Sequence, residues 1–199
     1  VKEEIVATAL KQFLEQGIRS ITMQKLAAGM GVSTKTLYKH FPDKEMLLEA
    51  CLQVHYGGME KQISSLEAGG CDPVQFICSV YSAATSLDFG ANYLFYHDLN
   101  HYYPELQDKV IGRFFGGLGT MMLQKMRDGI AGCYFLPYLK PEITFEALGV
   151  LYRSVTRFDT YVKYSLTPED LVKHTISIYL RGICTPKGLL SIEQLNSAT

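Results

Sequence analysis

TMQKLAAGMGVSTKTLYKHF, Thr22 to Phe41, is the stretch whose reading decides the fold. Thr22 is a cap residue, and a short helix is expected from it through Met30, with Leu26 and Ala27 turned inward. Gly31 ends that helix, because glycine accepts the left-handed backbone of a tight turn. Ser33 caps the next helix, Thr34 to His40, and Pro42 and Asp43 stop it. Leu26, Ala27, Val32, Leu37 and Phe41 share the inner side and set the angle between the two rods. Such a helix pair is the geometry that lays its second member into the major groove of DNA.

The outer side of the second rod is polar. Thr34 and Thr36 lie near its start, where short side chains touch base edges or thymine methyls. Lys35 reaches a guanine edge or a phosphate, and Tyr38, Lys39 and His40 suit phosphates along the groove wall. Ser33, the cap of this rod, is counted with them. Thr22 and Lys44 stand at the starts of the second and fourth helices, where free backbone N–H groups add to their own donors. From Arg19 to Lys44 there are five cations (Arg19, Lys25, Lys35, Lys39, Lys44) and one anion (Asp43), a net of +4, although the whole chain carries −1. Contact with a polyanion is therefore a local matter. A glycine-turn helix pair also serves as plain core architecture, so periodicity alone leaves both readings open.

Outward from this stretch the pattern is helical almost throughout, with no alternating runs and hairpin turns, so the fold class is all-α. A first helix is expected from about Lys2 to Gln16, stopped by Gly17. A fourth, capped by Asp43, runs to about Leu66. Asp72 followed by Pro73 starts a fifth, to about Leu87. A sixth holds Tyr93 to Tyr102, and a seventh runs from Pro104 to about Ala131. An eighth runs from Pro141 to about Tyr164. A ninth runs from Thr167-Pro168 to about Ile183, where Pro186 and Gly188 end regular structure. The tail after Ser191, small and polar, is expected to be disordered. These are about nine helices: a three-helix helix-turn-helix domain over 1–45 and a larger helical domain over 46–199, linked by the helix from about 43 to 66.

The stretch GVSTKTLYKHFPDKEMLL, Gly31 to Leu48, with ALKQFLEQGIRSITMQKLA, Ala9 to Ala27, resembles the TetR family of bacterial transcriptional regulators. The phrases YYPEL, Tyr102 to Leu106, and RDGIAGCYF, Arg127 to Phe135, echo family sequences. The resemblance implies a homodimeric, cytoplasmic repressor. It would bind a palindromic operator in double-stranded DNA and be released when a small molecule enters its C-terminal domain. Two features depart from the family pattern. Met30 stands where a small residue is usual, and the sequence opens at the first helix without the basic extension many members use on DNA.

Composition is that of a globular domain, aromatic-rich with 13 Tyr and 10 Phe. Phenols need partners when buried, and helical bundles hold ligands between helices. An effector site for an aromatic or apolar molecule is therefore expected among Phe76, Tyr93, Tyr96, Phe114, Met59, Met121, Met122 and Tyr152. His55, His97, Asn100, Arg153 and Arg157 are the polar groups to orient it. The last two expected helices carry Phe145, Leu148, Leu151, Val155, Phe158, Leu171, Ile176, Tyr179 and Ile183, a candidate four-helix dimer interface.

Five scattered cysteines without a CxxC pair suit reduced thiols in the cytosol. The N-terminal VKEEIVATALKQF is amphipathic with early acids and is not a signal peptide. No apolar run approaches the ~18 residues that span a bilayer, so no membrane partner is expected. His97 and His101, four apart with Asp98 between them, have zinc-binding spacing but no evident third ligand. A polar helix surface or a pocket hydrogen bond is the competing reading, and no metal or cofactor is expected. No catalytic constellation is present: there is no GxSxG, no HExxH and no Cys with a His partner. Two alternatives to a regulator are a helical small-molecule-binding protein that no longer reads DNA, and a helical enzyme using His97 or His101.

Overall fold

The computed structural model describes residues 1–156, 164 and 166–197. Twelve helices and one isolated antiparallel bridge, Phe135 with Cys184, make up the regular structure among them. The all-α reading holds. No helix among the described residues is long and apolar enough to cross a membrane. The chain forms two compact units: residues 1–60 with 90–116, and residues 61–89 with 117–199.

The first unit holds α1 (Lys2–Gln16), α2 (Met23–Gly29), α3 (Thr34–His40), residues 44–60 of α4 (Lys44–Ala68), α6 (Tyr93–Tyr102) and α7 (Pro104–Phe115). Its core is built from one face of each helix. Ile5, Val6, Ala9 and Phe13 come from α1, Leu26 and Ala27 from α2, and Leu37 from α3. Leu47, Leu48, Cys51 and Leu52 come from α4, and Phe95 and Leu99 from α6. Asn92, the cap of α6, donates its backbone N–H to Leu14 O (2.6 Å) and its amide Nδ2 to Glu15 O (3.2 Å), satisfying carbonyls that the end of α1 leaves open. Gly17 ends α1 with φ 81°, and a Cβ there would lie 2.9 Å from Leu94 Cβ, so only glycine lets α6 come this near.

The second unit holds the last eight residues of α4, then α5 (Pro73–Phe89), α8 (Leu118–Ala131), α9 (Pro141–Thr156), α10 (Pro168–His174), α11 (Ile176–Ile183) and α12 (Pro186–Ser197). Val74, Phe76, Ile77, Met122, Met126, Phe135, Leu148, Ile176 and Leu180 are its buried core. A small apolar cavity lies among Met126, Ile130, Phe135, Leu139, Pro141, Thr144 and Ile183.

Three expectations about elements are corrected. The single helix expected from Pro104 is two, α7 and α8, parted at Gly116 and Gly117, where two residues without side chains each cost about 0.5–1 kcal/mol of helix stability. The helix expected from Pro168 to Ile183 is also two. Thr175 breaks it at φ −127°, ψ −88°, its hydroxyl donating to Leu171 O at 2.5 Å and competing with the backbone ladder. Regular structure does not end at Pro186, and residues 191–197 are helical. Pro186 opens α12, and Thr185 Oγ1 accepts from Gly188 N (3.3 Å) as its cap.

Candidate nucleic-acid interface

The turn between α2 and α3 is fixed by its own hydrogen bonds. Thr22 caps α2, its Oγ1 accepting from Lys25 N at 3.2 Å. At the far end Gly31 N donates to Ala28 O (3.2 Å) and Val32 N to Ala27 O (3.0 Å). This is a Schellman closure, which needs a left-handed residue, and Gly31 supplies φ 67°. Ser33 then caps α3, its Oγ accepting from Thr36 N at 3.1 Å and lying 2.8 Å from Thr36 Oγ1. Leu37 is fully buried and Phe41 nearly so, which pins α3 through one face.

The remaining face of α3 is open. Thr34, Lys35, Tyr38 and Lys39 are exposed, and Thr36 and His40 are half-exposed. The expected reading residues therefore lie on one outward surface. Thr36 has a narrower range than the sequence implied, because its hydroxyl is engaged with Ser33. Thr22 and Ser33, both exposed, serve first as caps.

The five cations differ in what holds them. Lys35 and Lys39 are exposed and make no ion pair among the described residues. Lys25 Nζ donates to Ser20 O (2.9 Å). Arg19 donates its guanidinium to Tyr102 OH (2.7 Å), stacks on that ring, and gives its backbone N–H to Asp98 Oδ2 (2.7 Å). Lys44 turns inward, donating to Ile18 O at 2.6 Å. Burial lowers its pKa, with Asp98 opposing and Arg19 reinforcing. One of its three N–H donors is thus held by the first unit's own backbone, which fixes the ammonium at the start of α4. What the start of α4 offers an anion is its leading backbone N–H groups, those not taken by Asp43, whose Oδ1 accepts from Met46 N (2.7 Å). Sequence reasoning missed Asn92 and Asp98 as supports of α1 and the turn after it. The signal available was Asn92 directly before an apolar helix.

The expected effector residues divide between the units. In the first, His55 and Tyr96 are buried and joined, His55 Nε2 to Tyr96 OH at 3.0 Å, and burial pushes the His55 pKa down to about 4. Met59 is buried beside them in sequence, and Phe114, Asn100 and His97 are half-buried. Tyr93 is 58% exposed and lines no interior, a correction. In the second unit Phe76 and Met122 are buried, Met121 is half-buried and Arg153 is exposed. Tyr152 donates to Asp88 Oδ2 at 2.5 Å. Arg157 lies outside the described residues. None of these residues lines the small cavity.

The expected interface also needs correction. Leu148, Val155, Leu171, Ile176 and Ile183 are buried within this chain, so they cannot face a second copy. Phe145, Leu151 and Tyr179 are half-buried, and Phe158 lies outside the described residues. Both α9 and α11 are apolar on more than one side, so the pattern could not say which side is inner. The side left open carries Ile143 (65% exposed) and Val150 (56%) on α9 and Ile178 (59%) on α11.

Residues 5–51 match the family model described as bacterial regulatory proteins, tetR family. The HTH-type transcriptional regulator YerO of Bacillus subtilis is 30% identical over 66 residues, 33% of this chain and 23% of that protein. The nucleoid occlusion factor SlmA of Photobacterium profundum is 44% identical over 54 residues, 26% of this chain and 28% of that one. The match thus spans about a quarter of the length of these curated relatives. Across nearly the whole chain the fold is similar to a TetR/AcrR-family transcriptional regulator from Thermobifida fusca, with TM-score 0.72 and 18% identity over 91% of this chain and 97% of that one. It is also similar to the ketosteroid transcriptional regulator KstR2 of Mycobacterium tuberculosis, at TM-score 0.65 and 19% identity over 92% and 95%. A third is the fatty acid degradation regulator FadR of Bacillus halodurans, at 0.68 and 18% over 90% and 94%. Residues 5–51 thus carry a helix-turn-helix of the tetR type, and the helical fold around and behind it is similar to that of solved TetR-family regulators.

Proposed function

We propose that the chain is a DNA-binding transcriptional regulator that reads a near-palindromic operator as a homodimer, represses, and lets go when a small molecule binds. The observation that carries the reading is α3. It is a rod pinned by Leu37, offering Thr34, Lys35, Tyr38 and Lys39 to solvent with no acid among its residues. A seven-residue reader has little affinity alone, so two copies about 34–36 Å apart on one duplex face supply the rest. The open apolar side of Ile143, Val150 and Ile178 is the surface offered for pairing.

The effector is an apolar or aromatic molecule. Support comes from the aromatic composition and from structural neighbours named for ketosteroids and for fatty acid degradation. α4 is one continuous helix that contributes to both compact units, so a ligand that prefers one setting of α4 shifts the spacing of the readers. The second reading, a helical binding protein that no longer reads DNA, is favoured by the internal use of Arg19, Lys25 and Lys44. Selection of duplexes from a random pool by the full chain separates the two. The regulator reading expects an enriched near-palindrome, protected in footprints. Absence of any enriched sequence supports the second reading.

A further inference from the structure

We infer that His97 and His101 form a two-histidine clip on α6 for a divalent transition-metal ion such as Zn²⁺, Ni²⁺ or Cu²⁺. The two residues are one turn apart on the same face, and their rings stack with centroids 4.6 Å apart and planes 13° apart. The His97 side chain is 40% exposed and His101 is exposed, so an ion arrives without displacing core packing.

The orientation of His97 is the second observation. Its Nδ1 is buried and has no hydrogen-bond partner among the described residues. The nearest carboxylate to that nitrogen is Asp98 Oδ1, at 3.7 Å, within ion-pair reach but beyond hydrogen-bond distance. Asp98 is itself held, because its other oxygen accepts from Arg19 N at 2.7 Å. A carboxylate near the inner nitrogen favours the proton there and leaves the lone pair on Nε2 of a ring whose side chain is 40% exposed. In metal-binding histidines the second ring nitrogen donates to such a carboxylate, a contact that a shift of a few tenths of an ångström would close here. The broad χ2 well of histidine lets the stacked rings swing their edges toward one ion. No third ligating side chain joins the pair among the described residues, so water completes the shell. Imidazole nitrogens select zinc, nickel and copper over magnesium and calcium, which prefer oxygen.

The full untagged chain titrated calorimetrically with Ni²⁺, Zn²⁺ and Cu²⁺ is expected to take up one ion, and none of Mg²⁺. His97→Ala and His101→Ala should each weaken binding by about tenfold or more. His174→Ala should leave it unchanged. Both clip residues are at the surface, and circular dichroism of the variants checks that α6 is retained. With Cu²⁺ added, paramagnetic broadening should strike the ring resonances of His97 and His101 before those of His40 or His174. No uptake by the parent chain, equal uptake by both alanine variants, or broadening centred on another histidine overturns the inference.

Discussion

α3 and α11 are near twins in length and opposites in what they offer. Both are pinned through a buried face, Leu37 in α3 and Ile176, Leu180 and Ile183 in α11. Their outer faces differ. α3 presents threonine, lysine and tyrosine, whereas α11 presents Ile178, 59% exposed, with Arg181. The inner faces say only that each helix belongs to a core. Under the proposed function, the outer faces are what each unit offers a partner: a hydrated polyanion at α3 and another apolar surface at α11. Function is read from the residues that folding leaves unused.

Removing the pins is the strongest way to break the comparison. Leu37→Ala and Ile176→Ala each empty a fully buried position, and each should cost about 2–5 kcal/mol in denaturant unfolding. Only the first should also abolish DNA binding at temperatures where the rest of the chain is folded. A variant that loses binding through Ile176 alone, with stability restored by osmolyte, would erase the distinction between the regions.

His55 sharpens the comparison from inside the first unit. It is held neutral by burial, with a folded pKa of about 4 against the usual 6.5. The folded state therefore resists protonation. The stabilisation is fully present above pH 6.5 and is lost as pH falls toward 4, amounting to about 3 kcal/mol. Unfolding free energies measured across that window should show the loss, and His55→Gln, which can keep a hydrogen bond to Tyr96, should flatten it.

Gly31 tests the turn itself. A Cβ there would meet nothing within 4 Å, so Gly31→Ala has no clash and costs only the left-handed backbone, about 1–2 kcal/mol. Binding to DNA should weaken by a similar free energy, measured by fluorescence anisotropy. The mildest change in stability is expected at α11: Ile178→Glu with Val150→Glu should shift the chain to monomer in sedimentation while altering unfolding by about 0.5 kcal/mol or less per site.

Much of this contrast is legible in the sequence, and the residues show why part is not. Thr22, Ser33 and Thr167 stand at helix starts as capping chemistry requires, and Gly31 marks its turn. Local hydrogen bonding decides these positions, so local sequence reveals them. The break at Thr175 escaped because a threonine within an apolar run carries no strong stop signal. Pro186 misled because proline ends one helix and begins another with the same chemistry. The inner side of α9 was illegible, because Leu148 and Val150 differ only in what packs against them. The bond from Lys44 to Ile18 O was illegible for the same reason: a lysine at a helix start says nothing of a carbonyl 26 residues earlier.

The most direct test uses one selected duplex and the salt dependence of its binding. The parent chain, Lys35→Ala, Lys39→Ala and Lys44→Ala would be compared over a range of salt concentrations. Each of Lys35 and Lys39 should lower the slope of log K against log salt by about one, because each neutralises one phosphate. Lys44→Ala should leave the slope unchanged while lowering the unfolding temperature. A full slope in the double variant Lys35→Ala, Lys39→Ala would contradict the assignment of α3 as the face that meets DNA.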